Sequence, residues 1–248
     1  MDILKKALPV HTVDGENAAL KRIMPTHNLS YVDPFLMMDH FSLDQRAGFP
    51  DHPHRGFEII TYMLEGAFKH ADSAGNEGII QAGGLQRITA GRGIVHSEFP
   101  AFEGINSGIQ LWINLERRLK GMEPSYQDVK REEIPERESD GIRVRTLVGE
   151  GSPVRIVQPM VYYDIAISQG KKGLFPIPGG FQPLIYILEG TGSFGGNRFP
   201  GTAGEVLIPE RAAENGGLSV VAEEDLRFVL IAGQPIGERP VFRGSFVD

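Results

Sequence analysis

In the stretch DHPHRGFE (51–58) two histidines, His52 and His54, flank a proline, and further on GRGIVHSEFP (91–100) repeats the spacing as His96 and Glu98. Side chains two apart on an extended strand point to the same face, so each pair can present two ligand atoms to one point. A single His-x-His in a chain rich in Gly and Pro is a common accident of composition, usually a solvated loop. The second pair, His-x-Glu, gives the spacing weight as a candidate metal site. The remaining histidines, His11, His27, His40 and His70, have no such pairing and read as surface or packed structural residues.

Holding two pairs at one point requires paired strands, and the composition favours them. The chain has 248 residues, 31 of them Gly and 17 Pro, and many short Val/Ile/Leu/Phe runs. Turns need Gly and Pro while branched side chains suit pleated strands, so the expected class is all-β. Apolar content of 41% and charged content of 23% are those of an ordinary globular protein. No cysteine is present, which removes disulfides, thiol nucleophiles and thiolate-held zinc or iron–sulfur centres together. Metal chemistry here must rest on His and carboxylate. A formal charge of -7 gives no general attraction for nucleic acid, and Lys5-Lys6, Arg117-Arg118 and Lys171-Lys172 are doublets too short for a basic patch. The glycines of GRG (91–93) are followed by a strand and not by Lys-Ser/Thr, so they form no phosphate loop. The N-terminal apolar stretch is too short for a signal peptide and no run approaches a membrane span. A soluble cytoplasmic protein is expected, with the nucleus a further compartment in a eukaryote.

The chain also repeats itself. GFEIITYMLEG (56–66) aligns with GFQPLIYILEG (180–190) at a shift of 124 positions, and the AGG at 82–84 has a counterpart in the AGE at 203–205. Two related β units are expected, joined by the charged, proline-punctuated segment 116–141, which shows little strand pattern and suggests at most one short helix. The boundaries drawn are 1–128, a linker 129–141, and 142–248. At the same shift His52 and His54 fall on Pro176 and Pro178, and after a three-residue contraction His96 and Glu98 fall near Gly217 and Ser219. None of the four can serve as a metal-binding imidazole or carboxylate. Any metal belongs to the first unit alone.

HPHRGFE, TAGRGIVHSE, DPFLMMDHF (33–41), LWINL (111–115) and FVLIAGQP (228–235) together resemble the pirin family of the cupin superfamily, over nearly the whole chain. The resemblance implies two antiparallel cupin barrels stacked face to face, a metal-binding one and a metal-free one. It implies one mononuclear iron held by three histidines and a glutamate, which carry over to His52, His54, His96 and Glu98. Glu58 is an alternative carboxylate, sharing strand parity with His54, although in most cupins that ligand sits seven positions before the strand-ending glycine, here Ile59. Phe57, Tyr62, Met63 and Trp112 read as barrel core, with some of them lining the pocket.

Three neutral imidazoles and one carboxylate suit a divalent first-row metal, leaving two positions of an octahedral shell for substrate and dioxygen. Fe²⁺ is the first choice through the family; Mn²⁺, Ni²⁺, Cu²⁺ and Zn²⁺ fit the same donors, and affinity order alone favours copper. The resemblance implies a quercetin 2,3-dioxygenase-like enzyme, in which Glu98 accepts the 3-hydroxyl proton of a flavonol before reaction with O₂. It equally implies a binding protein without turnover, whose iron redox state alters a surface for transcription regulators or metabolic enzymes.

Overall fold

The computed structural model describes residues 1–211 and 213–248. The two repeat strands, Phe57–Glu65 and Gln182–Glu189, are each flanked by hydrogen-bonded strands and buried on both faces, which is why they read as almost unbroken apolar runs. Each runs into a glycine at positive φ, Gly66 at 69° and Gly190 at 74°. A Cβ at Gly66 would come 2.6 Å from Asn106 Oδ1 and 2.7 Å from the Ile105 carbonyl oxygen, and one at Gly190 would collide with the Asp225 backbone. Glycine is required at both turns for conformation and for space.

The chain divides into two compact units, each assembled from separated stretches. The first comprises Val10–Glu133, Val154–Gln158 and Ile236–Asp248. It contains a seven-stranded antiparallel sheet in the order Ser125–Val129, Leu85–Thr89, Phe57–Glu65, Asn106–Asn114, Phe35–Leu43, Ala18–Met24 and Val10–Asp14. Facing it is a four-stranded sheet in the order Phe49–His54, Ile94–Pro100, Ala67–Asp72 and Glu77–Gln81. Phe41 and Phe68 stack between the sheets with ring centroids 4.6 Å apart, among Leu20, Leu43, Met63 and Ile80. A second cluster joins Phe57, Ile59, Ile88 and Ile94 to Val247 near the chain's end.

The second unit comprises Met1–Pro9, Ile134–Pro153 and Pro159–Pro235. Its sheets follow the same plan: seven strands in the order Ile3–Ala7, Val206–Pro209, Gln182–Glu189, Leu226–Gly233, Met160–Ile167, Ile142–Val148 and Glu136–Ser139, and four in the order Lys172–Ile177, Gly216–Ala222, Thr191–Phe194 and Phe199–Thr202. Its interior is filled by aliphatic side chains around Phe228, which packs edge-on against Phe175 and Phe194. The expected all-β class and the duplicated unit are both present.

Two features differ from the sequence reading. Residues 116–141, read as nearly free of strand, contain Ser125–Val129 and Glu136–Ser139 as sheet-edge strands, with 3₁₀ turns at Arg117–Leu119 and Arg131–Glu133. An edge strand has one neighbour and keeps charged, exposed side chains, so it lacks the apolar alternation by which strands are recognised. The units are also not the consecutive segments drawn at 128 and 142. Met1–Pro9 joins the second unit because Ile3–Ala7 pairs with Val206–Pro209, and Ile236–Asp248 joins the first.

Candidate metal centre

Phe49–His54 is the outer strand of the four-stranded sheet, which tolerates Pro50 and Pro53 because an edge strand can spare ladder donors. Alternation puts His52 and His54 on one face of it. The neighbouring strand, Ile94–Pro100, runs antiparallel with His96 directly opposite His52. Directly opposed side chains share a face, so pairing alone adds the third imidazole. Ring centroids are 4.6 Å apart for His52 and His54, 4.4 Å for His52 and His96, and 4.9 Å for His54 and His96. One ligand nitrogen from each lies within 4.8 Å of the other two.

The chemistry of these nitrogens fits a metal. His54 and His96 are 2% and 1% exposed, yet neither ring nitrogen of either makes a hydrogen bond of normal geometry. Leaving buried polar atoms unpaired is costly, and one nitrogen of each ring, converging with one of His52, calls for a further partner. His52 Nδ1 bonds the Pro50 carbonyl oxygen at 2.7 Å. A proton there leaves Nε2 with its lone pair free, the arrangement usual for a metal-binding imidazole. Burial, then the neighbouring His96 and His52, hold His54 well below the usual imidazole range. Burial also lowers His96, against the opposing pull of Glu98. Both are neutral at pH 7, as ligation requires.

Glu98 follows His96 across a register irregularity and is 1% exposed. Its Oε1 accepts from Thr61 Oγ1 at 3.3 Å and its Oε2 from Gln110 Nε2 at 2.9 Å, while Gln110 Oε1 accepts from Trp112 Nε1 at 3.2 Å. The carboxylate is thus aimed by two side chains of the large sheet, and it stands outside the tight group of three imidazole nitrogens. Trp112, read from the sequence among core residues that could line the pocket, does line the cavity beside His54, whereas Thr61 and Gln110 carry no mark of a site residue in the sequence. Their only signal there is strand parity, which marks an inward position and not a role.

Glu58, the alternative carboxylate, points elsewhere. It accepts hydrogen bonds from Thr89 Oγ1 at 2.9 Å and from the backbone N–H groups of Val157 and Gln158 at 3.0 and 3.1 Å. Its strand belongs to the large sheet, where Thr61 reaches Glu98 on one face and Glu58, three positions away, lies on the other. Parity with His54 carries no meaning across the turn between separate sheets. Of the unpaired histidines, His11 and His27 are exposed. His40 meets Ser107 Oγ at 3.1 Å, and His70 is buried against Tyr126 and Asp128.

A cavity of about 550 Å³ opens onto the imidazoles. His52, His54, Gln110 and Trp112 line it, with Phe49 and with Phe242 from the returning C-terminal stretch. His96 and Glu98 are not among its lining residues, and Glu98 connects to the lining through its hydrogen bond from Gln110. The stretch is anchored at both ends: Asp33 accepts from the Ile236 and Gly237 N–H groups, and Arg55 pairs with Asp248 at 2.7 Å and lies over the Phe246 ring.

Comparison with known proteins covers both halves of the chain. Residues 17–113 match the Pirin family and residues 162–248 match the Pirin C-terminal cupin domain. The chain is 45% identical over 251 residues to a pirin-like protein of Solanum lycopersicum, covering 99% of this chain and 86% of that one. It is 41% identical over 244 residues to pirin of Rattus norvegicus, with coverage of 94% and 82%. Among solved structures, a quercetin 2,3-dioxygenase from Acinetobacter baumannii superposes with a TM-score of 0.90 at 28% identity, covering 99% of this chain and 91% of that one. Both halves being matched, and relatives sharing over 40% of their residues across almost the whole length, the chain belongs to the pirin family, with two domains of cupin type.

Proposed function

We propose that His52, His54 and His96 hold a divalent first-row metal, Fe²⁺ by first choice, that Glu98 completes the donor set, and that the protein cleaves a flavonol with O₂, releasing carbon monoxide. The observation that carries this reading is the set of unpaired buried nitrogens on His54 and His96, converging with His52 beside a cavity of ligand size. The likeness to the Acinetobacter quercetin 2,3-dioxygenase supports the substrate class.

A bound metal supplies Lewis acidity toward the flavonol oxygens and a redox-active centre for dioxygen. The protein's own groups supply the rest. Glu98 takes the 3-hydroxyl proton at a carboxylate oxygen, and Gln110 and Thr61 hold that carboxylate in one orientation. Trp112, Phe49 and Phe242 offer flat apolar walls to a planar ring system and reduce water beside it. His52 keeps its proton on Nδ1, held by the Pro50 carbonyl.

One surface favours the second reading, a redox-sensitive protein acting through a protein partner. Phe99, Phe102 and Ile105 are 40%, 57% and 47% exposed, on the end of the His96 strand and the loop that follows it. Anaerobic titration with a flavonol followed by admission of oxygen separates the two. Oxygen uptake with loss of the flavonol supports the enzyme. A partner bound only in one iron redox state, without turnover, supports the binding protein.

A further inference from the structure

The C-terminal unit lacks the imidazoles but keeps a mouth. At the shift of 124 positions, Thr146 and Tyr163 stand where the first unit has Arg22 and Asp39, and both couples are cross-strand neighbours. In the first unit the guanidinium forks onto the carboxylate, Nε to Oδ1 at 3.0 Å and Nη2 to Oδ2 at 2.8 Å, and satisfies both groups. In the second unit two hydroxyls replace this pair. Neither makes a side-chain hydrogen bond among the described residues.

The space beside them is a cavity of about 730 Å³. Ile142 and Val144 form one apolar wall, Phe175 faces them from the small sheet, and Leu174, 72% exposed, stands at the rim. Arg137 lies directly opposite Val144 on the edge strand, so its side chain shares that wall's face. It makes no ion pair among the described residues. Glu150 also lines the cavity, and burial together with this carboxylate holds the Tyr163 phenol above its ordinary range, so the hydroxyl remains a donor at neutral pH. A ligand for this lining must be largely apolar and flat. It must offer an anion to Arg137 and a hydrogen-bond donor toward Glu150. A simple dicarboxylate fails the second condition and a hydrocarbon fails both.

We propose that the mouth of the C-terminal barrel is a metal-independent binding site for a small phenolic carboxylate. The ring lies between Val144 and Phe175 with Leu174 at the rim, the phenol hydroxyl meets Tyr163, Thr146 and Glu150, and the carboxylate meets Arg137. The inference rests on the second unit and stands apart from the proposed dioxygenase activity.

The test is titration of the full-length chain with 4-hydroxybenzoate, followed by ligand-observed NMR and calorimetry. Saturable binding is expected, retained in His96→Ala. Arg137→Gln, at an exposed position that folding does not depend on, should weaken 4-hydroxybenzoate about tenfold and leave phenol unchanged. Leu174→Asp should remove both. Absence of saturation at millimolar ligand would overturn the proposal. So would binding that survives Leu174→Asp, or binding that is lost in His96→Ala, which would place the ligand in the metal-binding barrel.

Discussion

His52 and His96 face each other directly across two antiparallel strands, ring centroids 4.4 Å apart, and in the duplicated unit the inward-facing pair across the same two strands is Phe175 and Leu218, while Pro176 and Gly217, the positions matched by the shift of 124, lie on the outward face. One fold has therefore been kept twice with one set of ligands. Nitrogen donors in the first unit give way to the apolar side chains of Phe175 and Leu218, which have no lone pair to offer a metal. The interior of the second is closed instead by Phe175, Phe194 and Phe228.

Glu98→Gln separates a ligand role from a proton-accepting one. The amide still offers an oxygen but cannot take a proton. Partial metal retention is expected, together with loss of flavonol oxygenation to below about one hundredth of the parent rate, the lower end of what a positioned base contributes. Retained turnover would remove Glu98 as the base.

Glu58→Ala tests the separation of the two carboxylates. It leaves the N–H groups of Val157 and Gln158 without their acceptor in a buried place, and the expected loss of stability is about 2–4 kcal/mol. Metal content per folded chain should not change. A variant that is stable but metal-free would show that Glu58 belongs to the centre.

Part of the fold and of the site is legible in the sequence itself. The period-two spacing of the ligands, the doubly buried repeat strands and the turn glycines Gly66 and Gly190 all leave local traces in sequence. Other features leave none. Ser125–Val129 and Glu136–Ser139 are strands because a neighbour offers an edge, and their own residues look like a solvated charged linker. Phe242 stands beside His54 because the chain crosses back after the second unit, a consequence of pairing nearly two hundred residues away. The aim of Gln110 at Glu98 depends on which inward-facing residues meet across the two sheets, which alternation does not specify.

Phe242→Ala tests whether this returning stretch shapes the flavonol pocket. The side chain is 43% exposed, so only part of its apolar surface is available to a ligand. An increase of about fivefold in KM is expected, with metal content unchanged, from loss of roughly 1 kcal/mol of apolar contact. An unchanged KM for every flavonol tried would place the substrate elsewhere.

His40 provides a pH dependence away from the metal. Burial first, and then the charge of Lys21, lower it to about 4. The unfolded chain takes up this proton near pH 6.5, so between the two values it binds a proton that the fold does not. The stability contribution is complete above about pH 6.5 and is lost as pH falls toward about 4. His40→Gln keeps an N–H donor for Ser107 and should flatten the fall of the urea midpoint over that window. An unaltered slope would assign the acid sensitivity to other groups.

The central claim is met most directly by elemental analysis of the full-length protein purified without added metal, beside its His96→Ala and His70→Ala variants. About one divalent first-row metal per chain is expected in the parent, nearly all of it lost in His96→Ala and none in His70→Ala, because only His96 joins His52 and His54 around one point. Metal-free parent protein that takes up none on incubation with Fe²⁺, or equal loss from both variants, would contradict the account.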